Sequence, residues 1–172
     1  MTVAFAFECF ADQEIFQFLR IDLQLPLSGV HSDSQGEVIN HLLLKGRARI
    51  GMVDEDPFTT HHAERDRMEV LRSTDALEYR RAKRDGIPRH LLIVRPDLES
   101  CFLRSLNKLG LESKLARGPR ELHRLLGKRR SRYHSVFRED LKSLHSESKG
   151  KRTSTFITEL EDILRQILSL GT

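Results

Sequence analysis

Short apolar runs alternate with amphipathic segments along the first third of the chain. Residues 2–8 and 49–53 are short apolar runs that predict strands, of which the second has the composition of a strand covered on both faces; residues 27–31 are compatible with a short strand between them. Between them, residues 11–25 and 34–43 carry apolar side chains three or four positions apart, which is the spacing of a helix. This order of strand, helix, strand, helix and strand predicts an α/β fold with a mostly parallel sheet and right-handed crossovers.

The middle of the chain has a weaker pattern. Residues 61–72 are polar and predict a surface helix, whereas residues 77–83 are compatible with either a strand or a helix end. Asp85-Gly86 predicts a turn, and residues 90–94 predict a strand. The dipeptide Pro96-Asp97 then predicts the start of the next helix.

The last third predicts helices only. We expect one helix over about residues 120–144, a flexible basic linker over residues 146–153 and a terminal helix over about residues 154–170. The terminal helix has an apolar stripe that predicts either core packing or a seam for a protein partner or self-association. Together these features predict an α/β domain at residues 1–110 and a helical extension at residues 111–172 that packs on it.

Charge is distributed unevenly along the chain. Residues 1–60 carry 4 Lys/Arg and 9 Asp/Glu, whereas residues 61–172 carry 25 Lys/Arg and 16 Asp/Glu. An acidic site beside a basic surface suits a nucleic-acid partner, although a solvated charged surface is the simpler interpretation. Arg95, at the carboxyl end of a predicted strand, is one candidate phosphate contact. The densest basic run gives four further candidates for binding a nucleic-acid backbone, namely Lys128, Arg129, Arg130 and Arg132.

Cysteine usage and hydropathy point to a cytoplasmic protein. The two cysteines, Cys9 and Cys101, are too few for a disulfide framework and form no C-x-x-C pattern, so we expect buried free thiols. The amino terminus has neither the basic residues nor the long apolar stretch of a signal peptide. No apolar run has the length of a membrane span, so we expect no membrane association.

Acidic residues follow three of the predicted strands. Glu8 follows residues 2–7, Asp54 and Asp56 follow the third strand, and Glu99 follows the strand at residues 90–94. Because ligands bind outside the carboxyl ends of parallel strands, these carboxylates predict one oxygen-rich cation site. Each has a simpler explanation as a polar residue at a strand end, a turn residue or a helix first-turn carboxylate.

The acidic motifs resemble those of the Toprim domain, the metal-binding fold of topoisomerases, bacterial primases and OLD-type nucleases of phage defence. The Toprim pattern Glu-Gly-x-x-Asp is similar to Glu8-Cys9-Phe10-Ala11-Asp12, in which Cys9 replaces the usual glycine. The family's Asp-x-Asp is similar to Asp54-Glu55-Asp56, and Pro96-Asp97-Leu98-Glu99 resembles the later glutamate of the OLD-like branch. The resemblance covers about residues 1–110.

This resemblance implies a hydrolase that cleaves phosphodiester bonds of DNA or RNA with Mg²⁺ or Mn²⁺, alone or within a defence or repair complex. It implies that Glu8, Asp54 and Asp56 bind the catalytic metal. Glu99, with Asp97 beside it, is the candidate for a second ion. Asp12 is a further candidate ligand, although a helix cap is the simpler role for it.

Two other functions compete with this expectation. Asp-x-Asp also marks phosphatases of the haloacid-dehalogenase type, but there the pair normally ends the first strand, and here a whole βαβα unit precedes it. A Toprim-like protein without catalysis, which senses or binds a partner through the apolar stripe of the terminal helix, is the other alternative. His61 and His62 are candidate metal or general-base residues, and solvated histidines are the simpler interpretation.

Overall fold

A six-stranded sheet lies at the centre of the molecule. The computed structural model describes residues 2–55, 63–127 and 132–169. The strands are β1 (Val3–Phe7), β2 (Leu27–His31), β3 (Ile50–Asp54), β4 (Glu69–Ser73), β5 (Leu77–Arg84) and β6 (Ile87–Val94). Their order is β2-β1-β3-β6-β5-β4; the first four are parallel, and β5 and β4 are antiparallel to their neighbours. The predicted α/β fold with a mostly parallel sheet is confirmed.

Helices cover both faces of this sheet. They are α1 (Phe10–Gln17), α2 (Gln35–Ile39), α3 (Ala63–Asp66), α4 (Leu98–Leu109), α5 (Pro119–Leu126), α6 (His134–Gly150) and α7 (Phe156–Ser169). A π-helical turn extends α1 over Phe18–Asp22, and another extends α2 over Asn40–Leu44. Each of the described helices is too short or too polar to cross a membrane.

The sheet reverses its strand order between β1 and β3. The chain passes from β1 outward to β2 on one side, and then returns to place β3 on the other side of β1. Such a reversal opens a crevice at the carboxyl ends of the two strands. β3 is buried throughout its apolar part, and its Gly51 allows α2 to pack closely, because a Cβ there would lie 2.9 Å from Val38 Cγ1.

Two apolar clusters hold the layers together. A smaller cluster joins one face of the sheet to α2, and a larger one joins the other face to α1, α4, α5, α6 and α7. The stripe of the terminal helix belongs to the larger cluster, so its interpretation as core is confirmed and its face is not available as a partner seam. Its buried members are Phe156, Ile157, Leu160, Ile163, Leu164 and Ile167. The division at residue 110 stays a prediction.

The predicted surface helix over residues 61–72 is wrong for its second half. A short α3 occupies Ala63–Asp66, and residues 69–73 form β4, which pairs with β5 through Val70 and Arg80. β4 is an edge strand with every residue exposed, so it has no alternation of buried and polar positions that could reveal it. Residues 77–83, left open between strand and helix end, lie in β5.

The helix predicted over residues 120–144 is two helices. α5 ends at Leu126, where Gly127 follows, and α6 begins only at His134. The linker predicted at residues 146–153 is also wrong, because α6 continues to Gly150. The hydroxyl of the buried Ser148 donates a hydrogen bond to the carbonyl of Leu144 at 2.6 Å, so this polar side chain is satisfied inside the helix.

Candidate functional site

Carboxylates from three parts of the chain meet at the reversal of strand order. Glu8 follows β1, and its Oε1 accepts a hydrogen bond from the backbone N–H of Asp54 at 3.1 Å. Asp54 ends β3, and its Oδ1 accepts one from the backbone N–H of Leu98, the first residue of α4, at 3.0 Å. The structure therefore brings Glu8, Asp54 and the start of α4 to one edge of the sheet, as the strand-end pattern predicts.

Asp12 lies at the same edge and is part of a helix cap. The prediction that Asp12 itself is the capping residue is wrong, because the N-cap of α1 is Cys9 and Asp12 is the third helical residue. Oδ2 of Asp12 accepts from the backbone N–H of Cys9 at 3.2 Å, and Sγ of Cys9 accepts from the N–H of Asp12 at 3.4 Å. Cys9 has an ordinary extended backbone with φ −124°, so this position does not require the glycine of the Toprim pattern.

The pKa values of Asp54 and Asp12 are raised. Burial and the negative charges of Asp12, Glu99, Glu8 and Asp97, in decreasing order of effect, together raise the pKa of Asp54 to about 9. Burial and Glu8 raise the pKa of Asp12 to about 7, although the hydrogen bonds from Cys9 act in the opposite direction. The charged side chains that contribute most to these two shifts are the neighbouring carboxylates, which disfavour a further negative charge at the same place.

Glu99 and Asp97 sit in the first turn of α4. Glu99 is 4% exposed, and its Oε1 lies 2.9 Å from Nδ1 of His123 on α5, whose side chain is 72% exposed. Asp97 is the N-cap, since its Oδ1 accepts from the N–H of Ser100 at 2.7 Å. The predicted helix start at Pro96-Asp97 is thus confirmed, and Asp97 has a structural role whether or not it also binds an ion.

Two site residues carry no signal in the sequence. His123 meets Glu99 only because α5 packs against α4, and Gln35 at the start of α2 donates a hydrogen bond from Nε2 to the carbonyl of Asp54 at 2.7 Å. Neither residue belongs to a spacing pattern that singles it out. Both contacts depend on how separate helices pack.

A cleft of about 330 Å³ opens the acidic edge to solvent. Glu8, Glu99 and His123 line it, together with Cys9, Phe10 and His31 among others. Glu8 and Glu99 are therefore reachable by a ligand, whereas Asp12 is buried and does not line the cleft.

The residue types at this site are those that bind a hard cation, but their arrangement does not form a grouped set of metal ligands among the described residues. Mg²⁺ prefers carboxylate oxygens, and a cation would relieve the repulsion between these buried acids. Within the described ranges, however, no three His, Cys, Asp or Glu side chains are grouped so as to hold a metal ion. Asp56, the third predicted ligand, and the candidates His61 and His62 lie outside the described residues. The ligand roles of Glu8, Asp12, Asp54, Asp56 and Glu99 stay predictions.

The predicted phosphate contacts have different surroundings. Arg95 is paired within the chain: its Nε lies 3.1 Å from Oε1 of Glu55, and its guanidinium also contacts Glu78. Arg132 is exposed and lies over the ring of Tyr133, 4.9 Å from the ring centroid. The other three candidates fall outside the described residues, namely Lys128, Arg129 and Arg130.

Comparison with known proteins identifies no relative. No family model, no curated protein and no solved structure matches this chain. Function must therefore be inferred from the chemistry of the site.

Proposed function

We propose that this protein is a metal-dependent nuclease of Toprim type, closest to the OLD-like branch, that cleaves phosphodiester bonds of DNA or RNA. The observation that carries the proposal is the meeting of Glu8, Asp54 and the α4 start with Glu99 at the reversal of strand order. In an open α/β sheet this is where ligands bind. The motif order that resembles Toprim thus coincides with a cluster of carboxylates whose negative charges raise the pKa of Asp54.

In this proposal the chain's acids divide into two groups. Glu8 and Asp54, with Asp56, hold Mg²⁺ or Mn²⁺, and Glu99 and Asp97 are available to a second ion. A bound divalent ion stabilises the charge that develops on the oxygens of the scissile phosphate. The hydrogen bonds of Asp54 to Leu98 and of Glu8 to Asp54 fix these carboxylates before any ligand arrives.

Exposed basic residues are the proposed contacts for the nucleic-acid backbone. Arg120 and Arg124 are exposed on α5, the helix that carries His123 to the acidic edge. We expect them, together with Arg132 and the basic run before it, to neutralise backbone phosphates. Arg95 contributes less in this role because Glu55 and Glu78 already balance its charge.

Metal-dependent cleavage of plasmid and single-stranded substrates tests the proposal. Wild-type protein should cleave with Mg²⁺ or Mn²⁺ and not with EDTA, and Asp54→Asn should lose at least about 100-fold in rate, as expected when a group that organises transition-state charge is removed. Asp162→Asn, an exposed acid on α7, is the matched control and should keep full activity. Equal cleavage by the Asp54→Asn and wild-type proteins, with both folded, would overturn the proposal.

A binding protein without catalysis is the second candidate, and one observation favours it. Oxygens of Glu8, Asp12 and Asp54 accept backbone hydrogen bonds, which is what structural carboxylates do at strand and helix ends. Stable binding of nucleic acid without cleavage under any divalent ion would support this candidate. Release of phosphate from small phosphoesters would instead support a phosphatase.

A further inference from the structure

A second and larger cleft lies beside the acidic one. It measures about 820 Å³ and runs between α1 and the edge strand β2. From α1 it is lined by Phe10, Gln13, Gln17 and Arg20, which are three or four positions apart and therefore share one side of the helix and its π-helical extension. The helical spacing of these residues therefore explains why they line the same cleft.

Aromatic rings form the wall of this cleft. His31, at the end of β2, stacks on Phe10 with ring centroids 5.5 Å apart and an angle of 23° between the planes. Phe7 stacks on Phe16 behind them, at 5.2 Å and 26°. Gly29 is exposed and keeps this wall open, since a Cβ there would come within 2.9 Å of the Phe16 ring. The accessible rings of this wall are the half-buried Phe10 and the exposed His31, whereas Phe7 and Phe16 are buried behind them.

The two clefts are adjacent. Phe10, His31 and Asp33 line both of them. A strand whose phosphate lies at the acidic edge therefore has a neighbouring nucleotide close to the aromatic cleft.

The rim of the aromatic cleft is polar. Gln13 and Gln17 present amides that can both donate and accept hydrogen bonds, as base edges do. Arg20 is exposed and forms no ion pair within the described part of the chain, so its charge is available to a phosphate. Asp33 is the opposing charge, and it lies 4.0 Å from His31 on the side of the acidic edge. An apolar peptide would bury the two amides and Arg20 without giving them partners.

We propose that the aromatic cleft binds an unpaired nucleobase of a single-stranded nucleic acid, next to the phosphate that is cleaved. This inference rests on the proposed nuclease function and specifies its substrate as single-stranded. Phe10 and His31 supply the stacking surface, Gln13 and Gln17 contact the base edge, and Arg20 contacts the backbone. A base within a duplex is already stacked and paired, so it cannot enter the cleft without being extruded.

Binding of short fluorescent strands to the full chain, measured by anisotropy in EDTA, separates stacking from backbone attraction. Phe10→Ala should weaken binding of a single strand by about 5- to 150-fold, the range expected when one base loses an aromatic partner. Phe10→Leu, which keeps an apolar side chain but not a ring, should behave like Phe10→Ala, and Phe10→Tyr should bind like wild type. Ile87→Ala, an exposed position on β6, is the control.

An abasic strand of the same length distinguishes the base from the backbone. Its affinity should be the same for wild type, Phe10→Leu and His31→Ala, but it should fall with Arg20→Ala. The inference is overturned if Phe10→Leu and His31→Ala both bind the single strand as tightly as wild type does, or if these variants lose as much affinity for the abasic strand as for the normal strand. It is also overturned if wild type binds neither strand, or if wild type binds duplex more tightly than the single strand. The ring-dependent binding without cleavage under any metal would leave the inference standing and overturn the nuclease. Cleavage that is lost in Asp54→Asn but unchanged in Phe10→Leu would support the nuclease and overturn the inference.

Discussion

At the scale of single residues, the acidic edge is a place where function and stability oppose each other. Asp54 is surrounded by four other carboxylates, and burial together with their charges raises its pKa to about 9. We expect Asp54→Asn, which keeps the oxygen that accepts from Leu98, to raise the free energy of unfolding at pH 8 by on the order of 1 kcal/mol without metal. Chemical denaturation in EDTA measures this change.

The same variant reports on the cation. If Asp54 is a ligand, Mg²⁺ or Mn²⁺ should raise the thermal midpoint of wild type, because a ligand that binds only the folded state stabilises it. The midpoint of Asp54→Asn should not move. A marked loss of stability in EDTA, or an equal response to metal in both proteins, would show that Asp54 is a structural residue.

Glu161 is the opposite case, a buried acid with ample counter-charge. Burial by itself raises its pKa, but hydrogen bonds from His145, Arg165 and Lys149 lower the pKa to about 2 overall. We expect Glu161→Gln to cost about 1–3 kcal/mol of stability at neutral pH, because the amide keeps only one of the two acceptor oxygens and loses the negative charge that faces His145, Arg165 and Lys149. Glu147→Gln, which removes only an exposed pair with Lys151, should change stability by less than about 0.5 kcal/mol.

The pH dependence of Glu161 follows from the direction of its shift. Its pKa in the folded state lies below the ordinary value of 4.5, so its contribution is fully present above that value and is lost as the pH falls from 4.5 toward 2. Acid titrations of wild type and Glu161→Gln should therefore converge at low pH. Parallel curves over that window would contradict the role given to Glu161.

At the scale of elements, α4 connects the sheet to the site. Its N-cap Asp97 accepts from the N–H and the hydroxyl of Ser100, and its first turn holds Glu99 against His123. We expect Asp97→Ala to cost about 1 kcal/mol, the usual effect of losing a cap. Asp97→Asn retains the cap and should keep wild-type stability in urea unfolding.

The Asn variant also separates the cap from a ligand. If Asp97 assists a second ion, Asp97→Asn should have reduced metal-dependent cleavage despite its normal stability. Full activity in Asp97→Asn together with reduced activity in Asp97→Ala would limit this residue to positioning Glu99.

At the scale of the whole molecule, the strands that are buried on both faces were predictable, and the exposed edge strand β4 was not. β1, β3 and β6 are apolar runs because both of their faces are covered, and this pattern identifies them without tertiary information. β4 is exposed along its length and leaves no such pattern. The polar composition of residues 146–153 predicted a linker, whereas Ser148 within this segment is buried by packing between α6 and α7.

The same distinction applies to the site. Glu8 and Asp54 could be predicted to meet, because strand ends in a parallel sheet share an edge. His123 and the stacking of Phe10 on His31 could not, because these contacts join elements whose relative positions follow from the packing of complete helices. The part of the site that belongs to the sheet can therefore be predicted from the sequence, and the part contributed by the helices cannot.

The apolar core joins the two halves of the chain. The larger cluster includes residues of β1, β3 and β6, and also fully buried residues of α6 and α7, namely Phe137, Leu141, Leu144, Phe156, Ile157, Leu160 and Leu164. Each such side chain contributes about 1.5–3 kcal/mol through burial. The free energy lost when all of them are removed is therefore comparable to or larger than the free energy of unfolding of an ordinary domain. We expect a fragment of residues 1–110 not to fold, as judged by circular dichroism and dispersion of amide NMR signals.

Single substitutions in the full chain test this shared core without truncation. Leu160→Ala should lower the free energy of unfolding by about 2–5 kcal/mol, since it opens a cavity between α7 and its neighbours. Leu44→Ala, at a position 57% exposed, is the matched control and should change stability by less than about 0.5 kcal/mol. Unfolding of Leu160→Ala should remain one transition for both halves, because α7 packs directly on β5 and α4. A folded fragment 1–110, or a separate early transition in Leu160→Ala, would instead establish residues 111–172 as an independent extension.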